Sequence, residues 1–275
     1  MIQFPVDDED EVKHSQWIVL LFARASSIES ALEPLIDPAE GSPLFLDDAR
    51  SPHHTVSTYA FSQLSVATGC IASLEQMMVR ESEDKISLTA SPFGAYALVR
   101  NALDATAAAL WLLEPANGTL RIKRRILLGL DEVAKGAALR ETLGQPSVKV
   151  KRRARLKEIA EQAGLGEWNP LSQELPSMTR MLKQLERLHE NAVFPWLAAW
   201  QLSSGHAHGK SWAQLASNEL QEVEGTRTAT GAQFQMTIRF GMLAAVLFEA
   251  VQMLEVACVR YVVLAGGPPT TDRGA

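Results

Sequence analysis

The sequence predicts an all-α fold, a bundle of about eight or nine helices. Three observations carry that prediction. Apolar residues recur at helical spacing along most of the 275 residues, and no run clearly alternates with period two. Two Ser-Pro pairs, beginning at Ser51 and Ser91, set a capping hydroxyl before a proline whose fixed φ already suits a first helical turn. The run LAGGPP at 264–269 ends the chain's most apolar segment with a glycine suited to a left-handed terminus and prolines that cannot continue a helix.

In order, long helices are expected over 10–36, 52–81, 92–114, 119–142 and 230–265. Shorter ones are expected over 148–163, 177–190, 193–208 and 210–222. The Gly-, Pro- and acid-rich stretches 37–48 and 164–176 read as connections. Residues 1–265 are read as a single all-α domain, with any internal boundary near 164–176. Residues 266–275 are read as a disordered tail.

Composition is that of an ordinary globular chain: 47% apolar, 21% charged, net charge −6. Charge is unevenly spread. Twelve Lys/Arg and three acids lie between Arg121 and Lys157, a local excess of about +9 against about −15 elsewhere. Cys70 and Cys258 both sit in apolar helical runs and read as free buried thiols. Residues 242–264 are very apolar but contain Glu249, Gln252, Glu255 and Arg260 within one arc of a helical wheel. That pattern reads as a core helix and not a bilayer span. With no basic-then-apolar leader, a cytoplasmic protein without a membrane partner is expected.

The segment SSGHAHGKSW (203–212) raises the question of a metal clip, a catalytic centre or a polar helix end. On a regular helix His206 and His208 are about 200° apart and cannot clasp one ion. Gly205 and Gly209 offer the backbone freedom to bring them together. Ser204 and His208 are i,i+4 neighbours. Two Glu-x-x-His pairs, Glu11–His14 and Glu186–His189, meet part of a di-iron bundle's requirement, but both lie in charged stretches and not in an apolar stripe. No metal or other cofactor is expected.

The helix 92–114 aligns Tyr96, Arg100, Asp104, Ala107, Trp111 and Glu114 along one stripe of an otherwise apolar surface. An inward Arg100 would offer a planar fork to a carboxylate or phosphate, with Asp104 as its partner. The basic segment presents Arg124 and Arg125 in LRIKRRILLGL, and Arg152 and Arg153 in VKVKRRARLKEIAEQAGL. Such clusters can neutralise phosphates, or can be a solvated face or a docking surface.

LVRNALDATAAALWLLEP with RIKRRILLGL, and WQLSSGHAHG, resemble a loosely defined group of uncharacterised, mostly actinobacterial helical proteins. More distantly they resemble HEPN-type helical domains, many of them ribonucleases of toxin and phage-defence systems. The resemblance covers 92–130 and 196–212. It implies an all-α fold and points to Arg100, Asp104, Ser204 and His208 as the positions matching the shared pattern. The nuclease signature, an arginine followed by a histidine after four to six residues, occurs nowhere in this sequence.

The leading expectation is therefore an internal polar pocket between helices 92–114 and 193–208, in a homo-oligomer, binding a small anionic or polar ligand. Arg100 would clamp the anion. Ser204, His206, Trp111 and Tyr96 would line the pocket, and His208 and Asp104 would serve any acid–base chemistry. The alternatives are a nucleic-acid-directed HEPN-like protein using Arg124, Arg125, Arg152 and Arg153, and a non-enzymatic scaffold presenting an exposed apolar patch.

Overall fold

The computed structural model describes residues 9–82, 85–91, 93–189 and 193–268. Asp7 and Asp8 of the acidic head, Pro92, and residues 269–275 of the expected disordered tail lie outside the described residues.

Among the described residues the fold is mainly α. The helices are α1 (Glu9–Leu32), α2 (Pro43–Arg50), α3 (Val56–Met78), α4 (Gly94–Leu113), α5 (Gly118–Thr142), α6 (Lys149–Gln162), α7 (Met178–Leu185), α8 (Trp196–Ala207), α9 (Ser211–Ser217) and α10 (Phe240–Ala265). Two antiparallel hairpins complete it. One pairs β1 (Val79–Ser82) with β2 (Lys85–Leu88), and the other pairs β3 (Asn218–Glu222) with β4 (Phe234–Ile238), in register from Asn218↔Ile238 to Glu222↔Phe234.

The hairpins correct the helices expected at 52–81, 210–222 and 230–265, each of which is cut short. In β3 only Asn218 is buried, so NELQE has no apolar face that alternation could reveal. Ser51–Pro52 does not start a helix. Ser51 instead closes α2, its amide donating to the carbonyls of Asp47 and Asp48. Helix α3 begins at Val56, where the Asp48 carboxylate accepts the amides of Val56 (2.8 Å) and Ser57 (3.2 Å). A Ser-Pro pair that does open a helix is Ser42–Pro43, inside the expected connection 37–48; Ser42 Oγ accepts the amide of Phe45, and Ser91 Oγ accepts the amide of Phe93 just ahead of α4. At the other end, Gly266 takes φ +84° and Gly267 donates to the Val262 carbonyl, the terminus expected from LAGGPP.

The chain divides into two compact units, each assembled from three separated segments: 1–30, 65–106 and 186–255 in the first, and 31–64, 107–185 and 256–275 in the second. The stretch 164–176 lies within the second unit.

In the first unit Ile18, Leu21, Phe22, Leu74, Val99, Trp196 and Leu247 are fully or almost fully buried. Each such side chain contributes roughly 1.5–3 kcal/mol. Polar groups of α10 tie in neighbouring segments. Glu255 receives both Nε (2.9 Å) and Nη2 (2.6 Å) of Arg24 in a forked pair. Glu249, completely buried, accepts the amides of Val193 (2.8 Å) and Phe194 (3.0 Å) on one oxygen. Its other oxygen lies 2.6 Å from His189 Nε2, off the in-line geometry of a hydrogen bond. His189 also meets Glu186 through Nδ1 (3.1 Å) and stacks on Trp196 with centroids 4.3 Å apart. His189 is thus interior, although the stretch of sequence around it is charged and Glu186 is partly exposed.

The second unit explains much of the basic cluster. Arg121, only 2% exposed, pairs with Asp47 at 2.6 Å and donates to the carbonyls of Pro115 and Ala116. Burial pushes the Asp47 carboxyl above its ordinary range even beside that guanidinium. Arg124 lies over the Trp111 ring and pairs with Glu114. Arg125 donates to the Thr55 carbonyl and lies 4.3 Å from the Tyr59 ring centroid. Arg260 donates to the carbonyls of Leu113 and Glu114, satisfying the end of α4.

Helix α10 is long and apolar enough to cross a membrane by composition, and 67% of its most apolar window is buried in protein. With Glu249 and Glu255 engaged as described, it has the character of a core helix. Neither cysteine is in a disulfide; Cys258 is buried as expected, whereas Cys70 is partly exposed, which corrects its reading as a buried thiol.

Candidate binding groove on helix α8

SSGHAHG turns out to be a helix end with polar filling on one side and a groove on the other. The last turn of α8 closes through Gly209, at φ +62°, whose amide donates to the His206 carbonyl, and through Lys210, whose amide donates to the Gly205 carbonyl. Gly205 has ordinary helical backbone and a different purpose. A Cβ there would lie 2.6 Å from both Ala213 and Trp212, so its bare surface lets α9 close against α8.

The two histidines part company. His206 is 2% exposed and lies flat on Tyr96, with ring centroids 3.9 Å apart and planes 8° apart. Its Nε2 is 2.5 Å from Ser217 Oγ, and that hydroxyl donates to the Ala213 carbonyl. The serine proton is therefore committed, and Nε2–H of the imidazole must be the donor between them. Tyr96 is fully buried, and burial raises its phenol far above the ordinary range. His208 caps α8 and is exposed.

Arg100 and Asp104 form an ion pair at 3.3 Å, with side chains 25% and 28% exposed. They are neither immersed in solvent nor sealed in a cavity. The other Asp104 oxygen accepts the indole N–H of Trp200 at 2.7 Å, and the Arg100 guanidinium stands 5.8 Å from that indole's centroid. Trp200, Ser204 and His208 follow at i, i+4 and i+8 along α8. With Gln201, Gly205, Lys210 and Trp212 they line a groove of about 460 Å³. It is open to the surface, which corrects the expectation of an internal pocket.

The expected site residues therefore fall into three places. Ser204 and His208 line the groove, and Arg100 and Asp104 brace its Trp200 wall. Tyr96 and His206 are packed interior groups, where burial keeps them from a ligand in this groove. Trp111 belongs to the second unit, where its indole N–H is satisfied by Gln184 Oε1 at 3.1 Å. The helical stripe placed Trp111 with Arg100 because it counts turns and ignores which neighbours each turn meets. Asp104 has its oxygens on Arg100 and Trp200, so its part is to position the indole. Sequence reasoning missed Trp200, Lys210 and Trp212. The i,i+4,i+8 spacing signals the first; nothing local signals the other two.

Of the basic residues considered for nucleic acid, Arg124 and Arg125 are largely buried, while Arg152 is exposed and Arg153 is partly so. Among the described residues, no group of three or more His, Cys, Asp or Glu side chains is arranged to hold a metal ion.

Fold and site define a mainly α protein with a two-tryptophan groove braced by an arginine–aspartate pair. No family model, curated protein or solved structure matches the chain.

Proposed function

We propose that the groove along α8 binds a small planar anion, Trp200 and Trp212 supplying its aromatic walls and Lys210 its countercharge. The observation that carries this reading is the convergence of two indoles, an ammonium, an imidazole and a hydroxyl in one 460 Å³ groove. Indole faces attract planar π systems, and a cationic rim selects those that carry negative charge. Trp200 is pre-positioned by Asp104, so less ordering is lost on binding. Trp212, 53% exposed, is the wall that a ligand would cover.

The probe is 2-naphthoate, followed by quenching of tryptophan fluorescence, with neutral 2-naphthamide as its control. Saturable quenching by the carboxylate alone is expected. Lys210→Ala and Trp212→Ala should each weaken it by about tenfold. Equal affinity for carboxylate and amide, or unchanged affinity in both variants, defeats the reading.

A second reading rests on α6. Lys149, Lys151 and Arg152 are exposed at its start, whereas Arg155 and Lys157 are paired with Glu158 and Glu161. A nucleic-acid backbone bound there would lose affinity steeply as salt rises. A flat salt response, or no binding at low salt, eliminates this reading.

A further inference from the structure

A second pocket, of about 390 Å³, lies where α1, the α9–β3 junction and the start of α10 meet in the first unit. It is lined by Glu11, His14, Ser217, Asn218, Arg239 and Met242, together with Ala216 and Gly241. None of these belongs to the α8 groove.

The pocket is built, with polar groups left over. Glu11 uses Oε2 to accept the Phe240 amide at 2.9 Å, fixing its carboxylate against the first turn of α10. Gly241 makes room for the His14 ring: a Cβ at that position would lie 2.9 Å from the imidazole. Asn218 is only 9% exposed and points its Nδ2 at Met236 sulfur, 3.2 Å away. Its Oδ1 and His14 Nδ1 are buried polar atoms without a hydrogen-bond partner. The protein leaves the hydrogen-bonding capacity of both atoms unmet, on two residues of the pocket's lining. At the mouth, Arg239 holds Glu219 at 3.2 Å in an exposed pair that is easily exchanged for another carboxylate.

We infer that this pocket binds an α-amino acid or a similarly spaced ammonium–carboxylate zwitterion. The Glu11 carboxylate is an acceptor that matches a ligand ammonium, with the unsatisfied amide of Asn218 in the same lining. The Arg239 guanidinium is a planar fork that matches a carboxylate. Met242 and Ala216 give the side chain an apolar wall. Charges of both signs within one small pocket select a molecule that carries both, and discriminate against a simple anion or cation that leaves one of them unmatched.

The test is calorimetric titration of the full chain with L-leucine, N-acetyl-L-leucine and L-leucinamide. L-leucine is expected to bind saturably. The acetylated compound lacks the ammonium and the amide lacks the carboxylate, so each should bind at least about tenfold more weakly. Arg239→Ala removes an exposed side chain and should reproduce the loss for L-leucine, with the circular dichroism spectrum unchanged. Glu11→Gln should do the same, and Arg239→Ala decides the matter if Glu11→Gln fails to fold. Absence of L-leucine binding, equal affinity for all three compounds, or wild-type affinity in Arg239→Ala would overturn the assignment.

Discussion

The imidazole of His206 lies parallel to the phenol of Tyr96 at 3.9 Å and donates to Ser217, which makes it an interior structural group two residues from an exposed histidine. His206→Ala removes a buried ring and leaves a cavity beside Tyr96, and should lower unfolding free energy by about 2–4 kcal/mol. His208→Ala, at an exposed cap, should change it by less than about 0.5 kcal/mol. Urea denaturation of both variants checks the contrast, and equal effects would contradict the assignment of interior and surface roles.

Gly205→Ala tests the close approach of α9. The added methyl group meets Trp212 and Ala213 at 2.6 Å, so the neighbours must move. A loss of about 1–3 kcal/mol is expected, with a shift in tryptophan emission as Trp212 is displaced. Gly209→Ala probes a different cost, because φ +62° strains any residue with a Cβ; its loss should be about 1 kcal/mol.

Much of the helical framework is legible in the sequence, because amphipathic spacing reports a helix face whatever covers it. Helices α4, α5 and α6 begin and end within a few residues of the expected positions, and α10 ends where expected but starts at Phe240, after β4. The hairpins are not legible, because strands as polar as NELQE have no apolar alternation to read. The arginines show the same limit in the candidate site. Arg121 and Arg152 look alike in a charge count, yet one is sealed against Asp47 and two carbonyls and the other faces water. Only the tertiary positions of their partners separate them. The interior place of His189 was hidden for the same reason, since its partner Glu249 is far along the chain.

His54 gives the protein a pH-dependent component of stability. Its Nε2–H donates to the Arg125 carbonyl at 3.1 Å, and burial, with Arg125 nearby, lowers its pKa to about 4 from 6.5. Between those values the unfolded chain binds more protons than the folded one, so folding weakens as pH falls through this window and the contribution is complete above it. At most about 3 kcal/mol is at stake. Denaturation midpoints at pH 7.5, 5.5 and 4.5 should fall less steeply in His54→Gln than in the parent. Gly129→Ala, whose Cβ would lie 2.5 Å from the His54 ring, should destabilise the fold at every pH.

The Asp47–Arg121 pair is a buried ion pair of the second unit. Breaking it from either side leaves an uncompensated charge, so Arg121→Ala should cost about 3–5 kcal/mol. Replacing both partners, Asp47→Leu with Arg121→Met, should recover a large part of that loss. A double variant no more stable than Arg121→Ala would show that the contacts of Arg121 with the Pro115 and Ala116 carbonyls dominate instead.

The fork between Arg24 and Glu255 joins residues separated by 231 positions. During synthesis the first helix leaves the ribosome long before the segment that neutralises its arginine exists. Until then Arg24 has no Glu255 to meet and the Trp17 ring no Phe248 to pack on. Consolidation of the first unit, whose segments run to residue 255, has to wait until most of the message has been read.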